Sequence, residues 1–337
     1  MPVRPAMPTD LPRVTRFLGG ASREPDAIVG SVLPQPLVSS ALAGWWMLLP
    51  GTLGMRGRLR LFIEEYRGRL CAVALVYHGR RPEWVILALA AVPDPGGAEG
   101  SVKLLSYVSA AAAQHGQHRL YGAVADAALS APAAGAARAR ETFFQAGFYS
   151  YTRETWYAAP RAPLRAPAQK LDGHYARPRD AHDLFRFYAA TTPHAVQRAE
   201  QLTVEDFDIG RRAGAFDPPF LVSGNPFAMR RETTMVVGGE PRLGAFGVSF
   251  RGLANHPHVV KARSVDGDVD LARDIVRATT AELPSGRATM SPVRSYEEHV
   301  ARALLSEGFR EIATAMLFVK ELAVRIEEPA LAPAVVR

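Results

Sequence analysis

Arg69-Leu70-Cys71-Ala72, with the apolar run that follows, recurs 173 positions later as Arg242-Leu243-Gly244-Ala245. The same shift carries Arg4, Pro5, Asp10, Leu11 and Arg13 onto Arg177, Pro178, Asp183, Leu184 and Arg186, then Gly79 onto Gly252 and Val92 onto Val265. Toward the end of each copy the shift falls to 161, where Phe144-Gln145-Ala146-Gly147-Phe148 meets Leu305-Ser306-Glu307-Gly308-Phe309. The matches keep one order along both halves, so the chain reads as two copies of one domain, the second with fewer loop or helix residues.

Length agrees with that reading, since 337 residues suit two domains of about 150 residues each. The balance of 40 Lys+Arg against 33 Asp+Glu is basic, yet the only lysines are Lys103, Lys170, Lys261 and Lys320 and the arginines are scattered. No basic stripe with interleaved aromatics forms, which argues against a nucleic-acid partner. The single cysteine, Cys71, sits in a strand-like apolar run, so an internal disulfide is excluded and a reducing cytoplasm is expected. The Met1 to Pro5 entry lacks an apolar signal core. The run from Ala41 to Leu53 is broken by Gly44, Pro50 and Gly51, so no membrane segment is expected.

From Ala158 to Gln169 the sequence is almost wholly Ala, Pro and Arg, a composition that suppresses both helix and ladder pairing. The expected boundaries are a first domain at 1–158, a linker at 159–170, a second domain at 171–325 and a tail at 326–337. Each half begins with a short strand, Pro2 to Met7 or His174 to Pro178, and a helix. The first helix is announced by Thr9 and Asp10 and stopped by Gly19-Gly20; the second is announced by Asp180 and halted before Pro193. Three β-rich runs follow, Leu59 to Tyr66, Leu70 to His78 and Glu83 to Val92, matched by Thr233 to Val237, Leu243 to Phe250 and His258 to Val265. Helices at Val102 to His115 and Val269 to Glu282 come next, then strands at Arg119 to Ala125 and Arg287 to Met290. The last helices follow Ser130 and Pro132 in one copy and a Ser295…Glu298 capping box in the other. Closing strands run from Tyr149 to Tyr157 and from Ile312 to Val319.

This β-α-β-β-β-α-β-α-β order, entered through Val3-Arg4-Pro5 with Asp10-Leu11 and closed by Gly147-Phe148, resembles the GNAT acetyltransferase superfamily. The second copy repeats it with Arg177-Pro178, Asp183-Leu184 and Gly308-Phe309. The expected fold class is α+β, two GNAT-like domains, each a mixed, mostly antiparallel sheet flanked by helices. The resemblance implies that acetyl-CoA lies between splayed fourth and fifth strands, its pyrophosphate on backbone N–H groups at the start of the next helix. In the first copy it implies cofactor contacts from Ala90, Val92, Gly96, Gly97, Ala98, Gly100, Ser101 and Val102, with Leu104-Leu105 as the helix's apolar pair. Gly96 stands where the family has Arg or Gln, Glu99 where it has the first Gly of a Gly-x-Gly, and Ser101 where it has the second. The second copy puts Asp266, Asp268 and Asp270 in the same loop, where like charges repel a pyrophosphate; the first copy is therefore the expected acetyl-CoA domain.

The transfer needs a base for the amine proton and an acid for the thiolate. The resemblance places these on the fourth strand and the last helix; Glu83 is the candidate base, competing with a solvated strand-start role. The family's tyrosine positions hold Phe143 and Leu304, so Tyr149, with Tyr151 as substitute, is the candidate acid from the neighbouring strand, where packing is the competing role. Trp45-Trp46-Met47-Leu48-Leu49 either walls an acceptor pocket or packs on the sheet, and the 191–232 segment reads as a long lid-like connection. His256, His258, His115 and His118 lack ligand spacing, so no metal is expected. The chain thus reads as an acyl-CoA-dependent N-acyltransferase acting on a small-molecule or peptide amine, with homo-oligomers possible; the competing reading is a catalytically silent GNAT-fold scaffold.

Overall fold

The structure is a computed structural model that describes residues 3–21, 28–31, 59–78, 81–92, 97–126, 133–159, 171–208, 229–238, 243–252, 257–265 and 267–323. The first half runs β1 (Val3–Pro5), α1 (Leu11–Ala21), β2 (Ile28–Ser31), β3 (Leu59–Tyr66), β4 (Arg69–His78), β5 (Glu83–Ala91), α2 (Gly97–Gln114), β6 (Arg119–Asp126), α3 (Ala133–Gln145) and β7 (Tyr149–Ala159). The second half runs β8 (Gly173–Tyr175), α4 (Ala181–Thr191), α5 (His194–Glu200), β9 (Met229–Val237), β10 (Ala245–Gly252), β11 (His258–Ser264), α6 (Val269–Ala281), β12 (Thr289–Arg294), α7 (Glu298–Ser306) and β13 (Arg310–Glu321). Strand positions follow the Val, Ile and Leu runs closely, because those residues fit a buried pleated surface.

The strands join one sheet in the order β1-β3-β4-β5-β6-β13-β7-β12-β11-β10-β9-β8, with β2 attached to β5. That order is its own mirror image in the two copies. Its centre is an exchange: β13 of the second half lies between β6 and β7 of the first, and β7 lies between β13 and β12. Each half therefore completes its sheet with the other's last strand. On one face a single apolar cluster crosses the midline, joining Val14, Leu75 and Trp156 to Leu184, Phe207 and Phe246. On the other face each half has its own core, Leu104, Leu105 and Phe143 beneath α2 and α3, and Ile275, Val300 and Leu304 beneath α6 and α7.

The Gly-Phe signatures work as helix stops. Gly147 and Gly308 both take φ +82°, the left-handed conformation that glycine adopts without a Cβ clash. The N–H of Phe148 then donates to Phe143 O at 3.0 Å and that of Phe309 to Leu304 O at 3.1 Å. Phe143 and Leu304, the positions lacking a tyrosine, are fully buried.

Several expectations are corrected. At the entry the copies match with a shift of 170, not 173: Asp10 Oδ2 accepts the Met7 N–H at 2.8 Å, and Asp180 Oδ2, rather than Asp183, accepts that of Arg177 at 2.7 Å. Asp10 is paired with Arg4 at 2.7 Å and Asp180 with His174 at 3.0 Å. Helix α1 continues through Gly19-Gly20, and α2 starts at Gly97, five residues before Val102. The Ser295…Glu298 box does not form; Glu297 is the N-cap of α7, and its carboxylate accepts the Arg294 N–H at 3.0 Å. Strand β2 is an addition that the sequence pattern does not signal, and Trp45–Leu49, Gly96, Asp266, His256, residues 209–228 and the tail lie outside the described residues.

Candidate functional site

Both copies open a cleft at the same place. β5 and β6 pair in parallel only through Glu83, Trp84 and Val85 with Arg119, Leu120 and Tyr121, and β11 and β12 only through His258 and Val259 with Thr289 and Met290. Beyond those residues the strands part. The clefts then differ in what occupies them.

In the first half the cleft is filled by the chain itself. β2 pairs antiparallel with β5, Ile28 to Ser31 against Ala91 to Ala88, on the edge that faces β6. The Val92 N–H donates to Cys71 O at 3.0 Å, so alternation turns the Leu89 and Ala91 backbone groups toward β2. Ala90 is thus flanked by Val73 on one side and Val29 on the other. Gly97, Ala98, Gly100, Ser101 and Val102 all lie in the first turns of α2, where the amides of Gly97 and Ala98 have no intrahelical partner. Amides past the first turn of a helix bond to its own carbonyls, which removes Ser101 and Val102 as phosphate donors. Glu64, fully buried, packs its carboxylate against Gly100, where a methyl group would overlap it. Burial pushes that carboxyl's pKa up. The pairing of β2 thus occupies the strand edge beside Ala90 that the resemblance gives to acetyl-CoA.

Glu83 and Tyr149 are not brought together. Glu83 lies on the zipped part of β5, buried, with Arg81 Nε at 2.9 Å from Oε1. Arg81 also reaches Asp206 at 3.4 Å and donates to Glu200 O and Gln201 O, so second-half residues close over this carboxylate. Burial pushes the Glu83 pKa up to about 7, against the attraction of Arg81. Tyr149 is on β7, separated from β5 by β6 and β13, and its hydroxyl donates to Glu321 at 3.1 Å. Tyr151 is half-buried, its ring 6.4 Å from that of Tyr121.

The second cleft is lined differently. The Val265 N–H donates to Gly244 O at 2.9 Å, which turns the backbone groups of Ala262 and Ser264 away from β10 and into the opening. Ser264 O meets His299 Nε2 at 3.2 Å there. Among the described residues no strand pairs with β11 on this edge beyond Val259. Helix α6 begins at Val269 with Asp268 as N-cap, its carboxylate accepting the Leu271 N–H at 2.8 Å. The acidic start of α6 therefore has a structural role.

Lys261 and Arg263 project from β11 on the face away from α6, into a buried group of ionisable side chains drawn from both halves. Arg263 Nε meets Glu297 Oε1 at 2.5 Å and its Nη2 donates to Thr192 Oγ1 at 3.0 Å. Arg294 lies 3.2 Å from Glu154 of β7 and 3.5 Å from Glu200, which accepts the Tyr188 hydroxyl at 2.8 Å. Such pairs form because an unpaired buried charge costs several kcal/mol. Lys261 has no hydrogen bond or ion pair among the described residues. Its pKa is lowered to about 8, mainly by burial. It lines a small cavity of about 10 Å³, room for about one water, with Tyr188, Phe207, Phe246, Val248, Phe250 and Arg263.

These residues escape a reading of the sequence alone, although a signal exists. At the 173 shift Lys261 and Arg263 stand where the first copy has Ala88 and Ala90. Charges inside an apolar strand run require partners or a ligand.

The sheet order, the paired splays and the flanking helices define a tandem GNAT acetyltransferase fold. A tandem GNAT protein from the clavulanic acid biosynthesis pathway superposes with TM-score 0.52 and 12% identity, over 96% of this chain and 99% of that one. A GCN5-related N-acetyltransferase from Sphaerobacter thermophilus is similar at TM-score 0.49 and 13% identity, over 97% of both chains. No protein-family model and no curated protein matches the sequence. Among the described residues no group of His, Cys, Asp and Glu is arranged to hold a metal, and no helix is long and apolar enough to cross a membrane.

Proposed function

We propose that the chain is an acyl-CoA-dependent N-acyltransferase whose thioester site is the cleft of the C-terminal half, with the N-terminal half as its structural partner. The observation that carries this reading is the edge of β11, where the backbone groups of Ala262 and the N–H of Ser264 face an opening with no strand across it among the described residues, the Ser264 carbonyl being held by His299. The amides of an acyl-CoA arm can pair with such an edge as β2 pairs with β5. The acceptor is a small-molecule or peptide amine. Its nitrogen attacks the thioester carbonyl, the amide bond forms and the thiolate departs. The start of α6 is not a phosphate cradle in the family manner, so the nucleotide end gains less from the helix than the resemblance implies. The filled first cleft favours the silent-scaffold reading for the N-terminal half alone.

Calorimetric titration with acetyl-CoA tests this. Wild type should bind, and Ala262→Pro, which removes an N–H pointing into the cleft without touching the β10 ladder, should bind at least about tenfold more weakly while retaining the native circular dichroism. Absence of wild-type binding at millimolar acetyl-CoA contradicts the proposal.

A further inference from the structure

We infer that the C-terminal cleft carries a clasp, the His299 imidazole on the Ser264 carbonyl, which an incoming acyl-CoA releases before its own amide can use that strand edge. This deepens the transferase reading and rests on it for the identity of the ligand. The two clefts are closed by different means at the same register. In the first half β2 lies along Ala88 to Ala91, an edge covered by a backbone ladder. At the 173 shift Lys261 to Ser264 hold that place in the second half, and no strand pairs with that edge among the described residues. Contacts across this opening come instead from side chains at the start of α7. His299 Nε2 stands 3.2 Å from Ser264 O, and Glu297 Oε1 meets Arg263 Nε at 2.5 Å.

These two contacts differ in what they hold. The Arg263–Glu297 pair joins two side chains and takes nothing from the backbone edge. Glu297 also accepts the Arg294 N–H, so this pair fixes the turn into α7. Facing a carbonyl, His299 Nε2 has to carry a proton and donate it. It thereby occupies a backbone acceptor of β11, on the same edge where Ala262 presents its N–H and C=O. Both His299 and Ser264 are buried, so water does not readily replace the bond when it breaks. An amide N–H of the acyl-CoA arm can donate to Ser264 O only once His299 turns away. Binding then exchanges one hydrogen bond for another instead of adding one, which lowers affinity by about three- to tenfold. Release is a side-chain rotation here, whereas opening the first cleft means peeling off a strand.

Calorimetric titration of the full chain with acetyl-CoA tests this, on wild type, His299→Phe and His299→Gln. Phenylalanine fills the ring's space without a donor, so His299→Phe should bind acetyl-CoA about three- to tenfold more tightly than wild type. Glutamine restores an N–H near the Nε2 position and should return the affinity to the wild-type value. A contact that merely supports the fold predicts the opposite, weaker binding on its loss. If His299→Phe does not fold, 15N NMR of the histidine-labelled wild type gives the answer, because the His299 Nε2–H signal should leave its hydrogen-bonded position as acetyl-CoA saturates the chain. Equal or weaker binding by a folded His299→Phe, or an Nε2–H signal unmoved at saturation, overturns the clasp and leaves the transferase reading standing. Binding by neither wild type nor variant at millimolar acetyl-CoA overturns both.

Discussion

Glu83 shows how burial changes a side chain's meaning at the scale of one residue. From sequence it is a carboxylate at a strand start beside Pro82. In the fold it is covered by Arg81 and second-half residues, and its pKa rises from 4.5 to about 7. The folded state then binds more protons than the unfolded chain between those values. Its contribution to stability is complete below about pH 4.5 and lost as pH rises through about 7. Glu83→Gln should therefore flatten the fall in stability over that window. At pH 8 the variant should exceed wild type by up to ~3 kcal/mol, less whatever Arg81 loses with its partner. Urea denaturation at both ends of the window measures this, and a difference that does not change with pH contradicts it. Lys261 and Arg263 make the complementary point, because two charges in a strand run are visible beside Ala88 and Ala90 but their surroundings are not. The carboxylates of that buried group, Glu154, Glu200 and Glu297, come from three separate elements.

Among the elements, β2 decides which cleft is open. Its four residues, Ile28-Val29-Gly30-Ser31, are too short for a period and have no counterpart among the described residues of the second half, so local pattern could not reveal them. The longer strands were legible because their apolar runs are bounded by turns, and both last helices because Gly-Phe closes them. Gly30 lies opposite Leu89, whose backbone groups face β2. Gly30→Pro removes a donor from that ladder, so the Leu89 and Ala91 amides should exchange hydrogen at least about tenfold faster. Acetyl-CoA affinity should stay unchanged, and a gain would move the thioester site to the first half. At the start of α6, Asp268 is wanted for its oxygen rather than its charge. Asp268→Asn with Asp270→Asn keeps a capping side chain and removes two negative charges, so acetyl-CoA affinity should rise by about threefold in low salt. A fall in affinity in the same titration contradicts that reading of the cap.

For the whole molecule the exchange of β7 and β13 is the main fact. No local pattern announces it, since both strands occupy the same place in their own copies and their choice of neighbour is a long-range matter. The tandem architecture was legible from the repeat, whereas the joining of its halves was not. β6 and β7 each pair with β13 rather than with one another, so a fragment ending near residue 158 would present unpaired edges inside its own sheet. The buried ion pair between Glu154 and Arg294 ties the halves further. Heat should therefore unfold the chain in one cooperative calorimetric transition, with van't Hoff and calorimetric enthalpies in agreement. Two resolved transitions would mean that the halves melt separately.

The claim that the C-terminal cleft holds the thioester is tested most directly by hydrogen exchange read by mass spectrometry, with and without saturating acetyl-CoA. Slowed exchange should fall on peptides spanning residues 260–265, the free edge of β11, with residues 88–92 unchanged because β2 already covers them. Protection at residues 88–92 with none at 260–265 would contradict the account.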